Sequence, residues 1–268
     1  MTASIDQVTR LLRLLADHPG GTVERLLDSQ DLLRMLLEVD PSQIDRRRFG
    51  AAVAPFDPAS VFASPTDMAT ALRRRAEWRS WPLAKEQIDV VCGQLLQGHS
   101  SGLRCLSVDI WLGDLQTTYI ELWLWMCDVH RYWPVDTVSS GADQLRLLDV
   151  GRYGAEPEVK TVELDLGGYW TPQHRCQHSP ESVRHPDTSP GLEVLAAAAL
   201  HPEWLVRMGT KMVPRVWLPG LQVNDSSQPE WSGVPVLDWH RDRAPYVGAE
   251  SGWIVSPARA IPTLISRW

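Results

Sequence analysis

The chain has 268 residues, 44% of them hydrophobic and 22% charged, with a net charge of −7; at roughly 100–200 residues per domain this allows one or two domains. No apolar run approaches the roughly 20 residues that span a bilayer, and MTASIDQVTRLLRLL carries charges inside its apolar stretch, so neither a membrane span nor a signal peptide is expected and the chain is assigned to the cytoplasm. Residues 1–99 hold 12 Lys and Arg against 13 Asp and Glu, and residues 100–268 hold 14 against 20, so neither half has the positive field that nucleic-acid binding needs.

Ser4 and Gln7 have the spacing of a capping box, and Ile5, Val8, Leu12 and Leu15 predict a helix that His18-Pro19-Gly20-Gly21 stops. Thr22 caps a leucine-rich stretch running to about Val39, as one broken helix or two short ones. Asp40-Pro41 opens another that passes Phe49. Ser64-Pro65-Thr66-Asp67 is a second cap, for a helix carrying Met68, Leu72 and Ala76 and ended by Pro82. Ile88, Val91, Cys92, Leu95 and Leu96 form the apolar stripe of a further helix before Gly98.

The period then changes to two. Leu106, Val108, Ile110 and Leu112 alternate with Cys105, Ser107, Asp109 and Trp111, Gly113-Asp114 breaks the run, and Thr117–Met126 alternates again, which predicts a β-hairpin. Further strands are expected at Val159–Leu166, Val213–Leu218, Val234–Trp239 and Trp253–Val255, helices at Pro190–Leu200 and His201–Met208, and a long loop over residues 171–190. Thirteen tryptophans, none before Trp78, mark the second part of the chain. These patterns give an α+β protein with a small all-α module over residues 1–97 and a tryptophan-rich α+β module over 103–268, whose sheet contains a β-hairpin.

Several residues could carry chemistry. Leu147–Gly154 has the strand and glycine turn of a methyltransferase nucleotide site, but Glu163 and Asp165 follow too soon to reach a ribose and Pro157 interrupts the helix such a unit requires, so a strand and a turn are expected instead. His174, Cys176 and His178, with His185 nearby, are the metal candidates. Their spacing fits no common zinc motif, and no metal or cofactor is expected. Asp238-Trp239-His240 puts an acid and an imidazole on one strand face, as a hydrolase would, yet no Gly-x-Ser-x-Gly elbow supplies a nucleophile. Cys92, Cys105, Cys127 and Cys176 have no paired spacing and read as buried thiols. Arg46-Arg47-Arg48 and Arg73-Arg74-Arg75 are the candidate partner-binding residues, because guanidinium groups make bidentate bonds to carboxylates. Tryptophan is enriched at interfaces, and Trp78, Trp231 and Trp268 have the most polar neighbours.

Leu103–Asp109, Glu121-Leu122-Trp123-Leu124-Trp125 and Trp133-Pro134-Val135 resemble the opening of the C-terminal module of vWA-MoxR-associated proteins of bacterial conflict systems. Val162–Leu166 and Gly233–Trp239 are similar to two later strands of that module, and Tyr169–Pro190 departs from it. The resemblance covers residues 103–243 and implies a non-catalytic partner module, with the N-terminal helices as an adaptor that recruits an effector. The expectation is therefore a cytoplasmic interaction protein with a protein partner. The alternative is a divergent enzyme, either a methyltransferase using residues 149–154 or a hydrolase using His240.

Overall fold

A computed structural model describes residues 61–98, 100, 103–130, 144–168, 178–209, 214–224, 231–240, 244–254 and 259–268. The helices expected before residue 54, the Arg46–Arg48 cluster, His174, Cys176 and residues 99, 101 and 102 of the linker lie outside the described residues. Helix α1 is Pro65–Arg79 and helix α2 is Lys85–Gln97. Ser64 caps α1 as its sequence predicts, accepting a hydrogen bond from the Asp67 backbone N–H at 3.2 Å. Ser80 ends it in the left-handed region at φ 50°, its N–H donating to Ala76 O and Glu77 O.

Strand β1 is Arg104–Trp111, and every residue in it from Cys105 onward is buried. The second arm of the predicted hairpin is not a strand: Leu115–Val129 is helix α3. Asp114 decides this. Its carboxylate accepts from Thr117 N at 2.8 Å, its carbonyl accepts from Thr118 Oγ1 at 2.7 Å, and Thr118 Oγ1 in turn accepts from Leu112 N at 2.9 Å. Gly113, at φ 102°, turns the chain from strand to cap rather than into a hairpin. The alternation in Thr117–Met126 concealed a helical stripe of Thr118, Tyr119, Leu122, Trp123, Trp125 and Met126, all buried.

Strand β2 (Leu145–Leu147), strand β3 (Glu158–Asp165), a four-residue helix α4 (Pro180–Val183), helix α5 (Leu192–Leu200) and helix α6 (Pro202–Gly209) follow. The chain closes with β4 (Arg215–Trp217), β5 (Leu221–Val223), β6 (Gly233–His240), β7 (Ala244–Ser251), β8 (Arg259–Ala260) and β9 (Thr263–Arg267). Two sheets form: an antiparallel β1-β3-β9, and a six-stranded β2-β5-β6-β4-β8 with β7 on the other edge of β6. Among the described residues the hairpin is β6–β7, paired from Gly233 opposite Ser251 to His240 opposite Ala244. Trp253 and Ile254, expected in a strand, lie just past the end of β7.

α5, LEVLAAAAL, is buried around its whole circumference, as a helix apolar at every position but Glu193 must be, and it packs between β1 and α3. α2 packs on α1 and on β3, so one continuous apolar core joins α1 and α2 to α3, α5 and both sheets. No helix among the described residues is long and apolar enough to cross a membrane.

Candidate functional site

Two charged residues interrupt apolar elements, and the fold brings them together. Asp109 lies in the LSVDIWL run of β1 and is 2% exposed, and Glu193 lies in the first turn of α5 and is fully buried. A carboxylate in that position must be compensated. Arg152 and Tyr153 reach in from the turn after β2, and Arg267 from the end of β9. Arg267 Nη2 is 2.6 Å from Asp109 Oδ2, in an ion pair too bent for a hydrogen bond, and donates to Glu193 Oε1 at 3.0 Å. Arg152 Nη2 donates to the same Glu193 oxygen, while its Nη1 donates to Ser189 O at 3.0 Å. Glu193 Oε2 accepts from Gly191 N at 2.8 Å, and Tyr153 O–H donates to Asp109 Oδ1 at 2.6 Å.

The supports of this cluster are as specific as its charges. Tyr153 stacks on Trp111 with ring centroids 4.5 Å apart and planes 4° from parallel, and Trp111 Nε1 donates to Gly154 O at 2.9 Å. The segment before α5 runs against residues 220–221 so closely that a Cβ at Gly220 would come within 2.5 Å of Ser189 O. Burial, reinforced by Glu193, pushes the Asp109 carboxyl up to about 7 even though Arg267, Tyr153 and Arg152 pull the other way. Burial likewise raises the Tyr153 phenol. For Arg152 the cost of burial is outweighed by Glu193, Tyr153, Asp109 and Asp149, and its guanidinium is held charged.

In front of the cluster a cleft of about 390 Å³ opens to solvent between Asp149 and Arg152, Pro186–Thr188, and Leu264–Arg267. Leu264 N donates to Thr188 O at 2.9 Å and ties two of its walls together. Asp149–Gly154 thus borders this cleft, but as a turn. Asp149 Oδ1 accepts from Gly151 N at 2.9 Å, and the chain reaches β3 without a helix, so the strand-turn-helix unit of a methyltransferase site is not formed.

The other sequence candidates are dispersed. His178 is exposed and His185 lies 3.7 Å from Asp187, and among the described residues no three His, Cys, Asp or Glu are grouped to hold a metal ion. His240 ends β6 opposite Ala244. Cys92, Cys105 and Cys127 are buried free thiols.

The arginine triplet of α1 divides. Arg73 is exposed and pairs with Asp89 at 3.3 Å, and Arg74 is exposed. Arg75 is buried instead: Nη1 donates to Asp128 Oδ2 at 2.5 Å and Nη2 to Glu121 O at 3.3 Å, which fastens α1 to α3. Arg79 reinforces the joint, its Nε and Nη2 donating to the two oxygens of Glu121, while Trp81 Nε1 donates to one of them. The Arg79 bond in particular holds the Glu121 carboxyl below the usual range. Over this joint lies Trp78, two-thirds exposed, with the Arg75 and Arg79 guanidinium carbons 5.0 and 5.9 Å from its ring centroid. Trp253 and Trp268 are also exposed. Periodicity alone showed which α1 positions face the core, but the partners of Arg75 lie in α3, which the sequence reading placed in a strand.

No protein-family model, curated protein or solved structure matches this chain.

Proposed function

We propose that this chain is a non-catalytic interaction protein that docks an acidic protein partner on the exposed face of α1, with Arg73, Arg74 and Trp78 as the contacting residues. The observation that supports this most is the state of Trp78: a large indole left in solvent, yet braced by two guanidinium groups that are themselves anchored to α3. An anchor ordered before binding loses little side-chain entropy on docking, and Trp and Arg are the residues most enriched at the energetic centres of interfaces. Arg74 lies four residues before Trp78, so the two share one helix face.

The resemblance of residues 103–243 to vWA-MoxR-associated proteins is the ground for assigning the partner to a bacterial conflict system in the cytoplasm. Arg46–Arg48 extends the same docking chemistry to the N-terminal residues. The test is an R74A/W78A double variant of the full chain. It should lose association with the protein that co-purifies with the native chain while melting at nearly the same temperature. Undiminished association by this variant and by an Arg46, Arg47, Arg48 triple alanine variant would overturn the proposal.

A further inference from the structure

The cleft beside the buried cluster has a charge arrangement that selects its ligand. Arg152 and Arg267 line it together with Asp149 and Asp187, and Pro186, Leu264 and Ile265 supply apolar surface between them. Its volume of about 390 Å³ is within the roughly 300–1,000 Å³ of small-molecule sites.

The two guanidinium groups are not equivalent. Arg152 uses Nη1 on Ser189 O and Nη2 on Glu193, and its side chain is 8% exposed. Arg267 commits only Nη2, and among the described residues its Nη1 and Nε make no hydrogen bond. Nε is enclosed, so Nη1 is the donor left to Arg267, a cleft-lining residue whose side chain is 24% exposed. The carboxylates of the cleft are Asp149, near enough to Arg152 to help hold it charged and with Oδ1 accepting from Gly151 N, and Asp187, whose side chain is 83% exposed and lies 3.7 Å from His185 Nδ1.

These charges discriminate among ligand classes. A simple anion gains little, because Glu193 and Asp109 already compensate the two arginines and Asp149 and Asp187 oppose a second negative charge. A simple cation meets the two arginines of the cleft with the opposite penalty. A molecule carrying both charges, with a short apolar portion between or beside them, can pair with an arginine and with the carboxylates of the cleft at once. We propose that this cleft is a binding site for a small zwitterion of the amino-acid class, its carboxylate on Arg267 Nη1, its ammonium on Asp149 and Asp187, and its side chain on Pro186, Leu264 and Ile265. The site is distinct from the α1 face and stands independently of the docking proposal.

The buried cluster gives the site a proton-linked signature. The charged and titratable groups around Asp109 are Glu193 from α5, Arg267 from β9, and Arg152 and Tyr153 from the turn after β2. In β3, Lys160 stands opposite Asp109 in register but pairs with Glu158 at 2.6 Å. A ligand carboxylate on Arg267 competes with Asp109 for the same guanidinium and favours protonation of Asp109. Binding should therefore take up protons near neutral pH.

The experiment is isothermal titration calorimetry of the full chain with each of the twenty L-amino acids at millimolar concentration, in two buffers of different ionisation enthalpy, alongside acetate, ethylammonium and inorganic phosphate. The expected result is saturable binding of one amino acid or a related few, with net proton uptake and no saturable binding of the three single-charge probes. Asp187→Asn, at a solvent-exposed position, should fold as the native chain does and bind that amino acid at least several-fold more weakly. Saturable binding of phosphate or acetate alone, binding of no amino acid, or an Asp187→Asn affinity equal to the native one would each overturn the proposal.

Discussion

Arginine and carboxylate meet in two regions of this molecule under opposite physical regimes. In the cluster behind the cleft, Glu193 and Asp109 are sealed from water and Arg152 and Arg267 neutralise them. On α1, Arg73 faces Asp89 with both side chains nearly half exposed, and Arg74 stands beside an exposed Trp78. The enclosed charges are costly unless every partner is present, so they couple β1, β9, α5 and the turn after β2 into one unit. The exposed charges are screened and contribute little to folding, which leaves them available for a partner. Arg75 belongs to the first regime even though it adjoins Arg74 in sequence, because the helix turns it toward α3.

The largest effect should come from breaking the buried cluster. Glu193→Ala leaves Arg152 and Arg267 without their shared acceptor, and urea unfolding should show a loss of about 3–5 kcal/mol. A loss below about 1 kcal/mol would put this cluster in the same class as the surface pairs.

Arg75→Ala should be intermediate, at about 1.5–3 kcal/mol, as expected for charge-assisted hydrogen bonds whose acceptors keep partial access to water. Arg74→Ala, one residue earlier, should stay within about 0.5 kcal/mol of the native chain. Equal losses for these neighbours would remove the distinction between the two faces of α1.

The pH dependence sharpens the comparison further. His201 is enclosed, with Nδ1 accepting from Ala63 N at 3.0 Å and Nε2 donating to Leu106 O at 2.7 Å, and burial lowers it from 6.5 to about 4. Burial lowers His130 similarly, to about 4. The unfolded chain takes up these protons first, so the stability they contribute is complete above pH 6.5 and is lost as pH falls toward 4. Asp109 has the reverse sign. Its folded value of about 7 exceeds the ordinary 3.8, so its contribution is complete below 3.8 and is lost as pH rises through 7. Chemical unfolding across pH 4–8 should show a shallower acid loss in His201→Gln and a shallower loss toward pH 8 in Asp109→Asn. Identical slopes in the native chain and both variants would contradict these assignments.

Where an element carried its own terminating chemistry, its sequence was readable. The Ser64 cap, the α2 stripe and the period of β1 all predicted what forms. α3 was not readable as a helix because Thr117–Met126 alternates bulky residues, so two periods fit it and only the Asp114 cap discriminates. β7 and β9 gave no signal: β7 contains Pro245, Gly248 and Ala249 in place of β-branched alternation, and β9 has five residues. The buried cluster draws on positions 109, 152, 193 and 267, and no spacing motif can join residues so far apart. What the sequence did offer was Asp109 within an apolar strand and Glu193 within an apolar helix, each a charge that burial obliges to find a partner.

Photo-crosslinking from two equally exposed tryptophan positions tests the central contrast most directly. Trp78 and Trp253 are each 66% exposed, but Trp78 stands on the arginine-bearing α1 and Trp253 follows β7. With a benzophenone amino acid replacing one or the other in the full chain in its source cells, position 78 should give a discrete protein adduct that weakens as salt is raised in lysate, and position 253 should not. Adducts from position 253 alone, or equal and salt-independent adducts from both, would contradict the assignment of partner binding to α1.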